Sequence, residues 1–530
     1  LAGIVFHDNF TMMSNRFTDS LFQLICSLEK SEKRHFKLYI KRNSAKEDLK
    51  IVQLFDVLCK LPEYDEKLLL KKLYPVTKSQ LANLKTHLYK QLLASLRLLK
   101  STENIDLQLS EHLDDARLLY NKGLKLQSLK ILEKAKEIAK TNQKFNFLAQ
   151  VISLEKKIET LHITRSSLEK TTSLTEEALQ ISGHIDRVTR LSNLALLLYR
   201  WYVKNGHARN EQDETGIKDF FKKNLPPDQN EVTGFYEKLY LYQSYCWYAF
   251  IRQDFLMYYR YSQKWINLFN AEPVMIAVET GHYIKGMHNL LNAHFDLRNF
   301  QKFAITLQKF EDFAQTSVAN QHDNFRIHTF IYINSAKLNQ HLMLGTFKEG
   351  LALIPHIEEK LKEYTLYIDS HRILVFNYKI ATLYFGNEDY ATSIDYLQKI
   401  INGNVDLRID LQCYARLLHL MAHYELGNYA IIESLIKSVY RFMAKMKNLT
   451  VVEEEMFLFL RKAFDVSPKE LKPEFKKFLH KIKHLEKNRF ETRAFAYLDV
   501  ISWVESKVCE KPISVIIQEK HKKSRKRIYA

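Results

Sequence analysis

Apolar residues recur along most of this chain at intervals of three and four, the period of an amphipathic helix. Phe17, Leu21, Leu24, Ile25 and Leu28 make one such stripe, and Leu81, Leu84, Leu88, Leu92, Leu96 and Leu99 make a longer one. Short polar words with helix-start chemistry separate the stripes. Ser44–Glu47, Thr77–Gln80 and Ser173–Glu176 each set a hydroxyl three residues before Glu or Gln, so each side chain can take a backbone N–H beside the other. Ser467, Pro468 and Glu470 combine an N-cap serine, a first-turn proline and an N3 glutamate. The polar run 205–215 predicts an exposed loop, and the Pro226-Pro227-Asp228 break predicts an interior boundary.

Beyond residue 230 the pattern repeats. A short polar residue followed by an aromatic stands between two apolar helices at Asp254-Phe255, Asn299-Phe300, Thr346-Phe347, Asp389-Tyr390 and Asn428-Tyr429. The aromatics are 45, 47, 43 and 39 residues apart. The polar residue suits a tight turn and can cap the second helix, while the aromatic packs at that helix's first turn.

Two units carry more of a known phrase: Tyr424–Tyr429 as the end of a first helix with its turn, and Tyr390–Ile401 as a second helix. Gly123 and Gly345 take the turn-glycine place. Over about 105–450 the chain resembles the tetratricopeptide repeat, with a longer period than that family's ~34 residues. The resemblance implies a right-handed α-α superhelix of antiparallel helical hairpins, with first helices lining a concave groove for protein or peptide. In that register the groove positions are Tyr240, Lys285, Tyr332 and Tyr414; Gln243, His288, Ser335 and Tyr378; and Trp247, Asn292, Asn339 and Thr382. Asn292 and Asn339 fall on consecutive units, where their amides can donate to and accept from the backbone of an extended peptide.

Composition strengthens the all-α reading. Only 13 glycines and 9 prolines occur in 530 residues, against an ordinary ~7% and ~5%. Sheets joined by tight turns need both residues, and helical hairpins need little of either. The five cysteines, Cys26, Cys59, Cys246, Cys413 and Cys509, are scattered without a CxxC pair. They read as reduced thiols of a cytoplasmic protein, with no disulfide framework or zinc site. No run of 18 apolar residues suggests a membrane span.

The expected organisation has six parts. Residues 1–13 are read as a misassigned start near Met12 or Met13, 14–104 as a basic helical region and 105–228 as partly tetratricopeptide-like hairpins. Residues 229–450 form the repeats proper, 451–516 a basic helical cap, and 517–530 a basic tail expected to be disordered.

The net charge of +18 belongs to the ends. Residues 14–100 hold 18 basic and 9 acidic side chains, residues 461–530 hold 19 and 9, and residues 101–460 hold 42 of each. Lys30, Lys33, Arg34, Lys37, Lys41 and Arg42 form one basic helical face. Lys476, Lys477, Lys481, Lys483 and Lys487 form another. Such faces can meet phosphates.

Catalytic signatures are missing: no phosphate-binding glycine loop, dinucleotide fingerprint, HExxH or GxSxG is present. His419 and His423 share a helix face at the spacing of two zinc ligands, in places usually filled by packing residues. The reading is therefore a binding scaffold without cofactor or metal, and not an enzyme. The alternative is a nucleic-acid-associated regulator with basic ends and a ligand-sensing repeat domain.

Overall fold

The computed structural model describes residues 19–43, 48–100, 104–162, 168–226, 232–365, 367–403, 408–446, 449–463, 466, 468–488, 490–491, 495 and 499–528. Among these residues the protein is all-α, without strands, and its helices pack in consecutive pairs. The chain divides into two compact units, Leu1–Ile181 and Ser182–Ala530.

The first unit opens with α1 (Ser20–Ser27), α2 (Lys30–Asn43), α3 (Asp48–Lys60), α4 (Glu66–Lys72) and α5 (Lys78–Lys100). Their apolar stripes meet around Phe22, Phe36, Phe55, Leu58, Leu88 and Leu92, all at most 1% exposed. Asp19 caps α1 through the Phe22 N–H and also receives the Lys85 ammonium. The Thr77–Gln80 box forms as read, with the Thr77 N–H donating to Gln80 Oε1 at 2.9 Å and the Gln80 N–H to Thr77 Oγ1 at 3.3 Å. Then come α6 (Ile105–Asn121), α7 (Lys125–Thr141) and α8 (Phe145–Leu161).

Helix α9 (Leu168–Asn205) corrects one expected start: it runs straight through Ser173. A capping box marks a helix start only where the preceding residues leave the helix, and 168–172 stay in it. Glu177, meanwhile, takes the ammoniums of Lys136 and Lys140 on α7, each at 2.6 Å. Ser44–Glu47, Ser467 and Pro227-Asp228 lie outside the described residues.

In the second unit α10 (Glu211–Asn224) takes up much of the expected 205–215 loop. Asn210 caps it, accepting from the Asp213 N–H at 2.8 Å, and His207 and Ala208 are buried. The unit continues with α11 (Phe235–Ile251), α12 (Phe255–Ala271), α13 (Val274–Val278), α14 (Thr280–Asp296) and α15 (Phe300–Ala314). Next are α16 (Ser317–Asn320), α17 (Asp323–Leu344), α18 (Phe347–Leu351), α19 (Ile354–Glu363), α20 (Ser370–Gly386) and α21 (Tyr390–Ile401). The remainder is α22 (Ile409–Glu425), α23 (Tyr429–Lys445), α24 (Val451–Lys462), α25 (Pro468–Lys483), α26 (Val500–Cys509) and α27 (Ile513–Ile528).

All five polar–aromatic pairs are an N-cap followed by the first residue of a helix. Asp254 and Asp389 cap with their carboxylates, accepting from the Met257 and Thr392 N–H groups. The residue before each pair lies in the left-handed region: Gln253, Arg298, Gly345, Glu388 and Gly427. In every case the cap N–H bonds the carbonyl five residues back, at 2.8–3.1 Å. This bond closes a helix end by satisfying a carbonyl that has no partner within the helix. Gly123 and Gln143 make the same turn in the first unit. Ser128 Oγ donates to the Ala116 carbonyl at 2.8 Å, and Ser393 Oγ to the Ala381 carbonyl at 2.9 Å, tying the two helices of a hairpin at an identical spacing.

Among the first helices of successive hairpins, α11, α14, α17, α20 and α22, the pairs α14–α17, α17–α20 and α20–α22 pack directly. The C-terminal helices dock on this array. Trp503, 1% exposed, donates its indole N–H to Glu425 Oε1 at 2.6 Å, and Lys507 pairs with the same carboxylate. The expected disordered tail is instead helical to Ile528. Burial of Ile513, Ile516 and Ile517 holds its first half, Gln518 Nε2 donates to the Gly345 carbonyl at 3.1 Å, and the His521 ring lies 4.4 Å from that of Phe300.

Candidate binding face

Helices α14, α17 and α20 bring together one polar stripe each. On α14 it is Lys285, His288, Asn292 and Asp296; on α17 it is His328, Tyr332, Ser335 and Asn339; on α20 it includes Arg372, Lys379 and Thr382. Steps of three and four keep each set on one side of its helix. Lys285, His288, Tyr332, Arg372 and Lys379 are all partly exposed.

Tyr332 stands at the centre. The His288 ring stacks on it at 4.0 Å, the Lys285 ammonium lies 5.5 Å from its ring centre and the Arg372 guanidinium 5.8 Å. Arg372 also donates to the Tyr332 hydroxyl at 3.4 Å while pairing with Asp369 at 2.8 Å. Lys379 Nζ bonds both the carbonyl and the hydroxyl of Ser335, the former at 3.2 Å. Asn292 Nδ2 is 3.1 Å from His288 Nε2. At the edge, Arg408 pairs with Asp410 at 2.8 Å and meets His371 Nε2 at 2.6 Å.

The ionisations follow from this crowding. Burial, then Lys285, Lys379 and Arg372, hold His288 far below its ordinary pKa, so it is neutral. Burial and Arg408 push the Lys379 ammonium down to about 7 against the pull of Asp296. Burial raises Asp296 to about 7, opposed by Arg298 and Lys379. Burial alone would raise the Tyr332 phenol, yet Lys285 and Arg372 carry it below the usual tyrosine range.

The groove positions read from the sequence divide three ways. Lys285, His288, Asn292 and Tyr332 come together on the partly exposed face, while Ser335 and Asn339 of the same stripe on α17 are corrections, each buried at 7% exposure, Ser335 beneath the Lys379 ammonium. Tyr414 is a correction: it is fully buried and donates its hydroxyl to Glu453 at 3.1 Å, inside the core. Tyr378 is another, 6% exposed and packed in the core, because the stripe on α20 passes through the next residue, Lys379. Thr382 turns its hydroxyl back to the Tyr378 carbonyl at 2.8 Å. Further along, Tyr240 meets His282 edge-on at 5.6 Å, and Trp247 packs on Tyr199 and Tyr202 at 5.1 and 5.6 Å. Among the described residues Gln243 Oε1 is buried without a hydrogen-bond partner.

Arg372, Lys379 and His328 escaped the register reading. Their signal was available: 372, 379 and 382 share one helical side, as do 328 and 332.

The two basic faces fare differently. On α2, Lys33, Arg34, Lys37 and Lys41 line a shallow hollow with Leu38, and Lys37 pairs with Asp56 at 2.6 Å. Lys30 and Arg42 are exposed towards its two ends. On α25, Lys477 pairs with Glu474 at 2.8 Å, Lys481 with Glu455 at 2.7 Å and Lys483 with Glu505 at 3.1 Å. Lys476 is exposed, and Lys487 lies beyond α25 in a short 3-10 turn. His419 and His423 approach to 3.3 Å between their Nε2 atoms, and no cluster of three or more metal-ligating side chains occurs among the described residues. No described helix is long and apolar enough to cross a membrane.

No protein-family model matches the chain, and no curated protein resembles it closely enough in sequence to count as a relative.

Proposed function

We propose that this protein is a binding scaffold, not an enzyme, and that the second unit holds a protein or peptide segment along its first helices, as in a tetratricopeptide-like array. The observation carrying this is the polar face of α14, α17 and α20, partly exposed at Lys285, His288, Asn292, Tyr332, Arg372 and Lys379, with Asn339 buried on the next hairpin behind it. A side-chain amide such as that of Asn292 can hold an extended backbone through a paired donor and acceptor. Stacked Tyr332 and His288 add rigid contact area that loses little entropy on binding. A cytoplasmic setting belongs to the same reading, in keeping with the buried thiols Cys246 and Cys413.

The test is capture of partners by the tagged full chain, set against an Asn292→Ala, Asn339→Ala variant. A partner retained by the wild type and lost by the variant supports the reading. A partner held equally by both overturns it.

A second reading, nucleic-acid association, retains one observation, the basic face of α2. Of the five lysines expected to form the C-terminal basic face, Lys477, Lys481 and Lys483 are already matched by acids. DNA binding that weakens steeply with salt and is lost in a Lys33→Met, Lys37→Met variant would favour it.

A further inference from the structure

We propose that the face shared by α14, α17 and α20 receives a carboxylate of an acidic peptide, seated among Lys285, Arg372 and Lys379. This rests on the peptide-binding reading above and narrows its ligand.

Several lysines elsewhere in this unit are matched by acids, Lys337 with Glu311, Lys360 with Glu363 and Lys437 with Glu433, each at 2.6 Å, while Lys264, Lys302 and Lys399 lie over single or paired tyrosine rings. Lys285 and Lys379 also have neutral partners. The first lies over an aromatic ring and the second bonds neutral oxygens of Ser335. Arg372 has an acid, but Asp369 sits outward with its side chain 53% exposed, while the guanidinium is 24% exposed and reaches inward to Tyr332. An ammonium carries three donors and a guanidinium five, so neutral partners leave capacity to spare.

The surplus is positive. Five cations, Lys285, Arg298, Arg372, Lys379 and Arg408, stand near three carboxylates, Asp296, Asp369 and Asp410. That surplus suits an anion, and phosphate as competitor separates a carboxylate from a phosphate. The Tyr332 phenol, lowered by Lys285 and Arg372 against the effect of burial, registers the same surplus. A carboxylate arriving here exchanges weak neutral contacts for charge-assisted hydrogen bonds, which are about twice as strong. It also removes the penalty of partly buried cations without a counter-charge.

The experiment is fluorescence anisotropy of fluorescein-labelled hexaglutamate with the full chain, alongside hexaglutamine, the C-terminal amide of hexaglutamate, and inorganic phosphate as competitor. We expect hexaglutamate to bind at least tenfold more tightly than hexaglutamine. Lys285→Met and Lys379→Met should each weaken it about tenfold, and a Lys33→Met, Lys37→Met control should leave it unchanged. Equal binding of acid and amide assigns the carboxylate to a side chain, and a preference for the acid assigns it to the chain end; either supports the inference. Equal binding of hexaglutamate and hexaglutamine overturns it, as does an equal loss in the control, or displacement by phosphate at concentrations below those of the peptide. Should Lys379→Met fail to fold, Lys285→Glu decides, because reversing the charge must abolish hexaglutamate binding. If hexaglutamate does not bind while a captured partner still depends on Asn292 and Asn339, only this inference falls. If neither is seen, the peptide reading falls too.

Discussion

His288 lies flat against Tyr332 across the packing of α14 on α17, ring centres 4.0 Å apart and planes 15° from parallel. A neutral imidazole so placed covers one face of the phenol, while Lys285 and Arg372 surround it with positive charge. Tyr332 should therefore ionise ahead of the ordinary tyrosines among the 29 in the chain. Absorbance titration at alkaline pH reads this directly. Tyr332→Phe should delete the earliest phenolate component, and Lys285→Met should move it to higher pH. An unchanged first component in Tyr332→Phe would refute the assignment.

Acid should loosen the second unit through its histidines. Burial holds His294, His328, His371 and His419 at about 4, and His288 well below its ordinary value. Between the unfolded value near 6.5 and the folded value near 4, the unfolded chain binds the extra protons, so stability falls as pH falls through that window. Asp296, raised to about 7, and Glu453, raised by burial, work the other way over part of the range, but they are two groups against five histidines. Each histidine contributes at most about 1.4 kcal/mol per pH unit. Urea midpoints should fall from neutral pH to pH ~4.5, and His294→Met should flatten the trend by about one proton. A midpoint that holds or rises on acidification would contradict this.

Gly345 is where the C-terminal helix is pinned. Its φ is +69°, and a Cβ there would stand 2.7 Å from the Ser514 carbonyl oxygen and 3.1 Å from Ile517. Gly345→Ala should cost about 1–2 kcal/mol in backbone strain alone, and the clash should lift α27 away. Limited proteolysis would then cut after residue 510 sooner than in the wild type, with the rest of the unit intact. Equal cleavage rates would show that α27 is not held at this turn.

Ser128 and Ser393 occupy equivalent places in hairpins of different units, each donating to a buried carbonyl of the preceding helix. Ser128→Ala and Ser393→Ala should each destabilise the protein by about 1 kcal/mol, seen as similar shifts in denaturation midpoint. A cost at one site only would mean that the two hairpins are not built alike.

How much was legible in advance varies along the chain. The turns from Asp254 to Tyr429 were readable because a cap and its aromatic act within a few residues of each other. The conformation just before them was less so. Glycine announces a left-handed residue at Gly345 and Gly427, but Gln253, Arg298 and Glu388 adopt it without any compositional signal. Packing of the two helices and the cap-to-carbonyl bond impose it.

By itself the sequence determined that the chain is helical, where the helices after Thr77 and after the five polar–aromatic turns start, and which residues seed the cores, because apolar period, caps and turn chemistry are local. Only the tertiary structure decided which polar residues share a face. Lys379, not Tyr378, joins Tyr332, because packing sets the rotation of α20, and one residue is 100° of helix. Packing also drew acids from other helices to Lys481 and Lys483 of α25, and docked the first half of α27 where a disordered tail was expected to begin. Each of these outcomes depends on partners distant in sequence, and no local pattern encodes them.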